Sequence, residues 1–461
     1  MDSLSQVTAK AAVIACGSLV ALLSALHCTR LPAQEKSAQT PLSLSLRDAI
    51  RTALGPQGDP EIGVAAESEV IAEGRFRDAR GLKMPQIDAS VTGMNQILNL
   101  AVGGLGEVHF PIPNFSFPNS VGPFNTIDAH VHVMQGIFDR EALWQARSLH
   151  AAVTTAKDQT DEARDQVATR VAKLYLAAVN ASGAINLAKA RVESAEATLR
   201  DLTDRNAEGK ALIVDVSHAR VRVESEQQLL MQAQTDRAGA ELDLLNALNL
   251  PLDTPINLTD ALAFTPQDTM SPAEAVAIAL KSRAEIVTQK QRLESERLNN
   301  NSIQAERLPT LSAFATGGSQ GTTIPNSIGT YNVGIALNVP IFDGGRRASR
   351  GVQTAAAVRQ GELLQRQLEK QVELEVRRAL LKLDTARARA DVTVKDFAIA
   401  QEELDHRRRL SEQGIGQESV VADARLALAQ ADEARLAALY AWNEARIELM
   451  QAMGTIRSLA Q

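Results

Sequence analysis

Between residues 126 and 137 apolar and polar side chains trade places at every step. Ile127, Ala129, Val131 and Val133 alternate with Thr126, Asp128, His130 and His132. A period of two sends successive side chains to opposite faces of a strand. The same beat runs through 86–94, where Ile87, Ala89 and Val91 interleave with Asp88, Ser90 and Thr92. It returns in 331–341, where Tyr331, Val333, Ile335, Leu337, Val339 and Ile341 interleave with Asn332, Gly334, Ala336 and Asn338. Residues 310–320, following Pro309, read as a fourth strand. The alternation predicts one apolar face of odd-numbered positions and one polar face of even-numbered ones, with His130 and His132 on the polar side. Strands of this pattern suit a bilayer-crossing barrel with a wet lumen. They equally suit half-buried hairpins of a soluble domain. Residues 96–125, rich in Gly, Pro, Asn and Phe, read as a long loop.

Elsewhere the beat changes to the helical one. Residues 44–54 and 59–84 read as short helices, the second ending near Pro85. Residues 140–206 carry no proline, and from Val167 apolar or small side chains fall in an unbroken 4-3 alternation. The seam runs through Val171, Leu174, Ala178, Ala181 and Ile185 and on to Leu202. That is a heptad seam. A second one begins at Val372 and runs through Val376, Ala379, Leu383, Ala386 and Ala390 to Leu404. Return helices are predicted at about 212–249 and 417–453, with Gly209 and Gly414 at the turns. A helix over 140–206 would be about 100 Å long at 1.5 Å per residue. Such a helix holds only against neighbours of similar length.

The two halves say nearly the same thing. Arg205 to Gly209, followed by Asp215-Val216 and Ala219-Arg220, recurs as Arg409 to Gly414, followed by Val420-Val421 and Ala424-Arg425. Ile137-Phe138-Asp139-Arg140 recurs as Ile341-Phe342-Asp343-Gly344-Gly345-Arg346, and Leu248-Asn249 as Met453-Gly454. A repeat of this length is a half-molecule. The predicted organisation is a signal peptide over 1–33, a first repeat over 34–247 and a linker or equatorial region over 248–275. A second repeat of two strands and a long helical hairpin follows over 276–461.

Composition narrows the function. Of 461 residues, 45% are hydrophobic, 22% charged and only 3% aromatic. Abundant alanine suits long, closely packed helices. The net charge of −7, with no basic stripe, argues against a nucleic-acid partner. Lys10 followed by the apolar run Ala11–Leu26 reads as a secretion signal, with cleavage after Leu31-Pro32-Ala33. Cys16 and Cys28 are the only cysteines, and neither has the small preceding residue and position that lipidation needs. No later segment approaches 18 uninterrupted apolar residues, so a membrane crossing would have to be made by strands. No phosphate-cradling loop or catalytic constellation is present, and no cofactor is implied. His130 and His132, with Asp128 as the nearest third ligand, read as polar lining rather than a metal site. Trp144 and Phe138 lie near a strand–helix junction, where they mark either a membrane interface or core packing.

Taken together, the repeat, the Pro340-Ile341-Phe342-Asp343-Gly344-Gly345-Arg346 segment, the tip pattern from Arg205 to Arg220 and the Pro85 and Pro309 helix ends resemble the TolC-like outer-membrane efflux proteins. The resemblance covers essentially the whole mature chain. It implies a mainly α fold with a membrane β-barrel portion. Long helical hairpins would form a periplasmic α-barrel, and each protomer would give four strands to a trimeric twelve-stranded barrel. The implied partners are a periplasmic adaptor, an inner-membrane transporter and outer-membrane lipid. The implied role is a passive exit duct for efflux or type I secretion, not an enzyme.

The resemblance also assigns sites. Hairpin tips of the family dock adaptors, and the matching residues here are Glu208, Gly209 and Lys210, and Gln413, Gly414 and Ile415. The family's Val-Gly-Leu is absent from both. Aspartates just beyond the second tip pinch the family's closed entrance. Asp423 falls on one such position, Val420 stands at the other, and Glu418 offers a carboxylate at a shifted register. Asp215 is the first-half counterpart. Repeated threefold, Asp423 would form an anionic ring favouring cations. The competing reading is a periplasmic coiled-coil adaptor or structural protein, which typically has one hairpin rather than two.

Overall fold

Two aspartates start the two longest helices. The computed structural model describes residues 41–100, 102, 118–260, 270–413 and 418–460. In it Asp139 Oδ1 accepts from the amide of Ala142 at 2.9 Å, and Asp343 Oδ2 accepts from the amide of Arg347 at 2.8 Å and from its Nε at 3.0 Å. These are N-caps. They explain why Ile-Phe-Asp appears in both halves. Desolvation pushes the Asp343 carboxyl up, but the Arg347 amide and guanidinium outweigh it and hold the group below its ordinary value.

The chain divides into two compact units, residues 1–42 with 254–257 and residues 43–253 with 258–461. In the smaller, the Leu42 amide donates to Pro255 O at 2.8 Å. The larger holds every element below. Helices α1 (Leu46–Ala53) and α2 (Pro60–Gly81) lead to strands β1 (Gln86–Asn99) and β2 (Ser120–Phe138), then to the hairpin α3 (Arg140–Ala207) and α4 (Ile213–Ala247). The second half repeats the order. Helices α5 (Pro272–Ser282) and α6 (Ala284–Ala305) precede strands β3 (Thr310–Gly321) and β4 (Ile328–Asn338), which precede the hairpin α7 (Arg346–Glu412) and α8 (Glu418–Met453). The segment read as a signal peptide and both cysteines lie outside the described residues.

The four strands form one antiparallel sheet in the order β1-β2-β3-β4, so β1 and β4 are its edges. The register keeps the numbering parity of the four strands in phase. Asp88 lies opposite His132, His132 opposite Thr316, and Thr316 opposite Asn332. One pair further, Ala89, Val131, Gly317 and Tyr331 make the neighbouring row. Even rows are mainly polar and odd rows mainly apolar, with Met94 and Met134 on even positions and Asn95, Asn125, Gln135 and Ser319 on odd ones. Phe314 is an aromatic residue on the even face. It covers Gly334, where a Cβ would sit 2.8 Å from its ring.

The seams become the helix interfaces. Val167, Val171, Ala178, Ile185, Ala188 and Ala195 are buried on α3, as are Val372, Val376, Ala379, Ala386, Ala390 and Leu404 on α7. The halves are not packed alike, however. Helix α3 lies against α1, α2, α4, α6 and α8, and 21 of its residues are buried. Helix α7 lies against α5, α6 and α8, and only 6 are buried. One 18-residue window of α3 reaches a mean hydropathy of 1.2, with 39% of it buried. Its apolar content reflects this central position among helices.

Three boundaries differ from expectation. Helix α5 starts at Pro272, inside the stretch read as linker, because Ser271 and Glu274 close a capping box there. Strands β1 and β2 extend into the stretch read as loop, pairing Asn95 with Asn125 and Asn99 with Ser120. A register shift between Gln96 and Leu98 breaks the period there, while the backbone ladder continues. Strand β4 ends at Asn338, so Val339 and Ile341 lie beyond it.

Candidate functional site

The polar face of the sheet is the first candidate surface. His130 pairs with Asp128, and its Nε2 lies 2.8 Å from Thr330 Oγ1, two strands away. It can reach that far because Gly318 stands opposite on β3. A Cβ there would come within 2.7 Å of the His130 Cα and ring. His132 Nδ1 lies 3.0 Å from Thr316 Oγ1. The two rings are 6.2 Å apart, each tied to its own hydroxyl. Among the described residues no set of three His, Cys, Asp or Glu is gathered for a metal.

The second candidate is the first hairpin tip. Gly209 has φ +74°, its amide donates to Asn206 O at 2.9 Å, and the Lys210 amide donates to Arg205 O at 2.7 Å. This pair of bonds is a Schellman cap, which wants glycine at its left-handed position. Lys210 Nζ meets Glu208 Oε2 at 2.7 Å on the exposed surface. At the second tip Gln413 caps α7 by donating its amide to Arg409 O at 3.2 Å. Gly414 and Ile415 lie outside the described residues. Glu418 is the first residue of α8, and its side chain is likewise not described.

Just above the tips, a cavity of about 750 Å³ brings together residues predicted from separate halves. Asp215 and Asp423 both line it, with His218 beside them. Asp215 also accepts from the Leu212 amide at 3.3 Å and so caps α4. Arg191 and Arg222 line the same cavity, so its charge within one protomer is mixed rather than purely acidic. Sequence reasoning missed Glu226, which is only 7% exposed. Arg222 Nε holds its Oε1 at 3.2 Å, and its Oε2 has no partner among the described residues. Val216, Ala219, Val223 and Glu226 are spaced three, four and three apart and all are buried. Continuing the seam along α4 would have found a carboxylate where an aliphatic group belongs.

Midway along the hairpins charges are buried in pairs. Arg283, 9% exposed, bonds Glu285 at 2.8 Å and also Glu375. Asp165 lies 2.7 Å from Arg457 Nε, and desolvation pushes its carboxyl up to about 6 against the pull of that guanidinium. Tyr175 donates to Leu44 O at 3.0 Å and receives the Asp260 amide at 3.3 Å, and burial pushes its phenol up to about 12. The Asp165 and Tyr175 contacts tie Arg457, Leu44 and Asp260 to α3, while Arg283 ties the α5–α6 junction to α7.

Comparison with known proteins follows the same outline. The model of a family described as outer membrane efflux protein matches residues 57–250 and 275–455. The outer membrane efflux protein BepC of Brucella suis is 26% identical over 249 residues, 53% of this chain and 50% of that protein. The alkaline protease secretion protein AprF of Pseudomonas aeruginosa is 27% identical over 241 residues, 50% of this chain and 47% of that one. The chain thus matches about half the length of these curated relatives. The crystal structure of the Campylobacter jejuni CmeC outer membrane channel superposes with a TM-score of 0.75 at 16% identity, over 89% of this chain and 85% of that one. At that identity the likeness is one of fold.

Proposed function

The chain belongs to the outer membrane efflux protein family, and from that membership and the geometry above we propose that it is a passive exit duct of the outer membrane. It would conduct substrates delivered by a periplasmic adaptor and an inner-membrane transporter, in efflux or type I secretion. The observation that carries this reading is the parity of the sheet. Four strands held in one register present a continuous apolar face, with Tyr331 87% and Val91 78% exposed, and a continuous polar face behind it. A bilayer outside and water inside ask for that division. Open edges do not persist in hydrocarbon, so three copies closing a twelve-stranded barrel is the arrangement that supplies the missing partners.

The helices support the same assembly. Val352, Leu381 and Ile399 on α7 are 68%, 68% and 63% exposed, on a long helix that has fewer partners within its own chain than α3. A neighbouring protomer packed there would complete the wall of a helical tunnel. The entrance would lie at the tips, where Asp423, Asp215 and Glu418 of three copies converge, and Glu208, Gly209, Lys210, Gln413, Gly414 and Ile415 would meet the adaptor. The energy would come from the transporter.

Electron microscopy of the detergent-extracted protein tests this reading. Threefold tubes longer than about 100 Å, with a detergent belt at one end, are the expected result. Flexible rods without a belt, released from membranes by salt alone, would favour a periplasmic coiled-coil adaptor instead.

A further inference from the structure

Between α2, α3 and α6 lies a second cavity, of about 640 Å³, that the duct reading leaves without a role. Phe76, Trp144 and Leu298 give it an apolar floor, while Arg80, Lys83 and Arg147 stand around it. Its lining includes no carboxylate. None of the three cations makes an ion pair among the described residues. The Arg147 guanidinium sits 4.8 Å over the Trp144 ring. Cationic side chains clustered over a half-buried aromatic and aliphatic floor, without acidic partners, form an unmet charge complement rather than a core.

Position identifies the complement. Strand β1 begins at Gln86, immediately beyond Lys83, and α3 begins at Arg140, one turn before Trp144. Trp144 therefore lies about 6 Å along α3 from the end of the strand sheet. If the strands cross the membrane, this is the depth of the phosphate headgroups on the periplasmic side. We propose that the cavity binds an anionic glycerophospholipid of that leaflet. Arg80, Lys83 and Arg147 would take the phosphodiester, and the start of an acyl chain would lie against Phe76, Trp144 and Leu298. Free phosphate would meet the cations and leave the floor wet, so a lipid matches the whole cavity better. Bound lipid would fix the height of the barrel against the bilayer edge at this strand–helix junction.

This proposal rests on the duct reading, and the test separates the two. The chain has two tryptophans, Trp144 and Trp442. A Trp442→Phe protein therefore reports from Trp144 alone. It is reconstituted into vesicles containing brominated phosphatidylglycerol or brominated phosphatidylcholine. The expected result is half-maximal quenching at about tenfold lower mole fraction of the phosphatidylglycerol. The preference should disappear in the Arg80→Gln, Lys83→Gln, Arg147→Gln triple variant. Native mass spectrometry of the unsubstituted protein gives an independent readout, phosphatidylglycerol retained in preference to phosphatidylcholine. Equal quenching and equal retention of the two lipids would overturn the site. So would an unquenched Trp144 in protein that floats with the vesicles, which would mean a neighbouring protomer covers the cavity. A protein that does not float with the vesicles would overturn the membrane reading, and this site with it.

Discussion

Asn249 and Gly454 end the two return helices in the same left-handed backbone, at φ 54° and 69°. Each closes a Schellman cap. The Leu250 amide donates to Leu245 O at 3.0 Å, and the Thr455 amide donates to Met450 O at 2.8 Å. Each also abuts the junction between the short helices of its own half. Asn249 Nδ2 donates to Gln57 O at 3.1 Å, while Gly454 lies against the backbone of Ser282 and Arg283. The repeated sequence thus corresponds to a repeated joint.

The joint is not interchangeable. A Cβ on Gly454 would stand 2.7 Å from Arg283 Cα, whereas Asn249 already carries one. Asn249→Gly should cost a few tenths of a kcal/mol, chiefly through chain entropy. Gly454→Asn should cost about 2 kcal/mol or more, because neither backbone can yield. Thermal unfolding followed by circular dichroism measures both. Equal shifts would mean the joints tolerate the same side chain.

The Asp165 carboxyl, raised to about 6, predicts a pH dependence. Its ordinary value of 3.8 describes the unfolded chain, so the folded state binds more protons between about pH 4 and 6. That contribution is present in full below pH 4 and is lost as pH rises through about 6. Arg457 attracts the charged form, while Glu285 and Asp161 repel it. Asp165→Asn should flatten the fall in stability across this window by on the order of 2 kcal/mol. An unchanged slope would show that the carboxyl ionises freely in the fold.

The parity of the sheet predicts labelling. In the assembled barrel His132→Cys should react with a charged, water-soluble maleimide, and Val131→Cys should react only with a lipid-phase reagent. Reaction of Val131→Cys with the charged reagent and not of His132→Cys would reverse the two faces.

The entrance predicts selectivity. Asp423→Ala should weaken block by divalent cations, read as single-channel conductance in planar bilayers. Arg222→Ala, which removes a cation from the same cavity, should strengthen it. Block unaffected by either change would mean that the ion path lies elsewhere.

Much of this fold could be read from spacing alone. Period two marked the strands and the 4-3 seam marked the hairpins, because both patterns record which side of an element meets water. The first turn of α5 was assigned to the linker despite its Ser271-Pro272-Ala273-Glu274 cap, because eleven residues give a helical period too few turns to register. The inequality of α3 and α7 was not legible at all. Their seams read alike, and which of them gains further neighbours depends on contacts distant in sequence. Glu226 was missed for a related reason. A carboxylate on a return helix reads as solvated until Val216, Ala219 and Val223 show which face is inside. Asp423, by contrast, was placed by the family resemblance and Asp215 as its first-half counterpart, and the fold brings them to one cavity.

The open edges of β1 and β4 bear on how the molecule is made. A lone sheet has no stable way to sit in hydrocarbon, since each edge would leave a row of amides and carbonyls unbonded. If three copies close a membrane barrel as proposed, insertion and oligomerisation are a single event. Its rate should rise more steeply than linearly with the amount of chain in the periplasm, and no membrane-embedded monomer should accumulate on the way. A cell that makes this protein slowly would hold it as a periplasmic species waiting for two more copies.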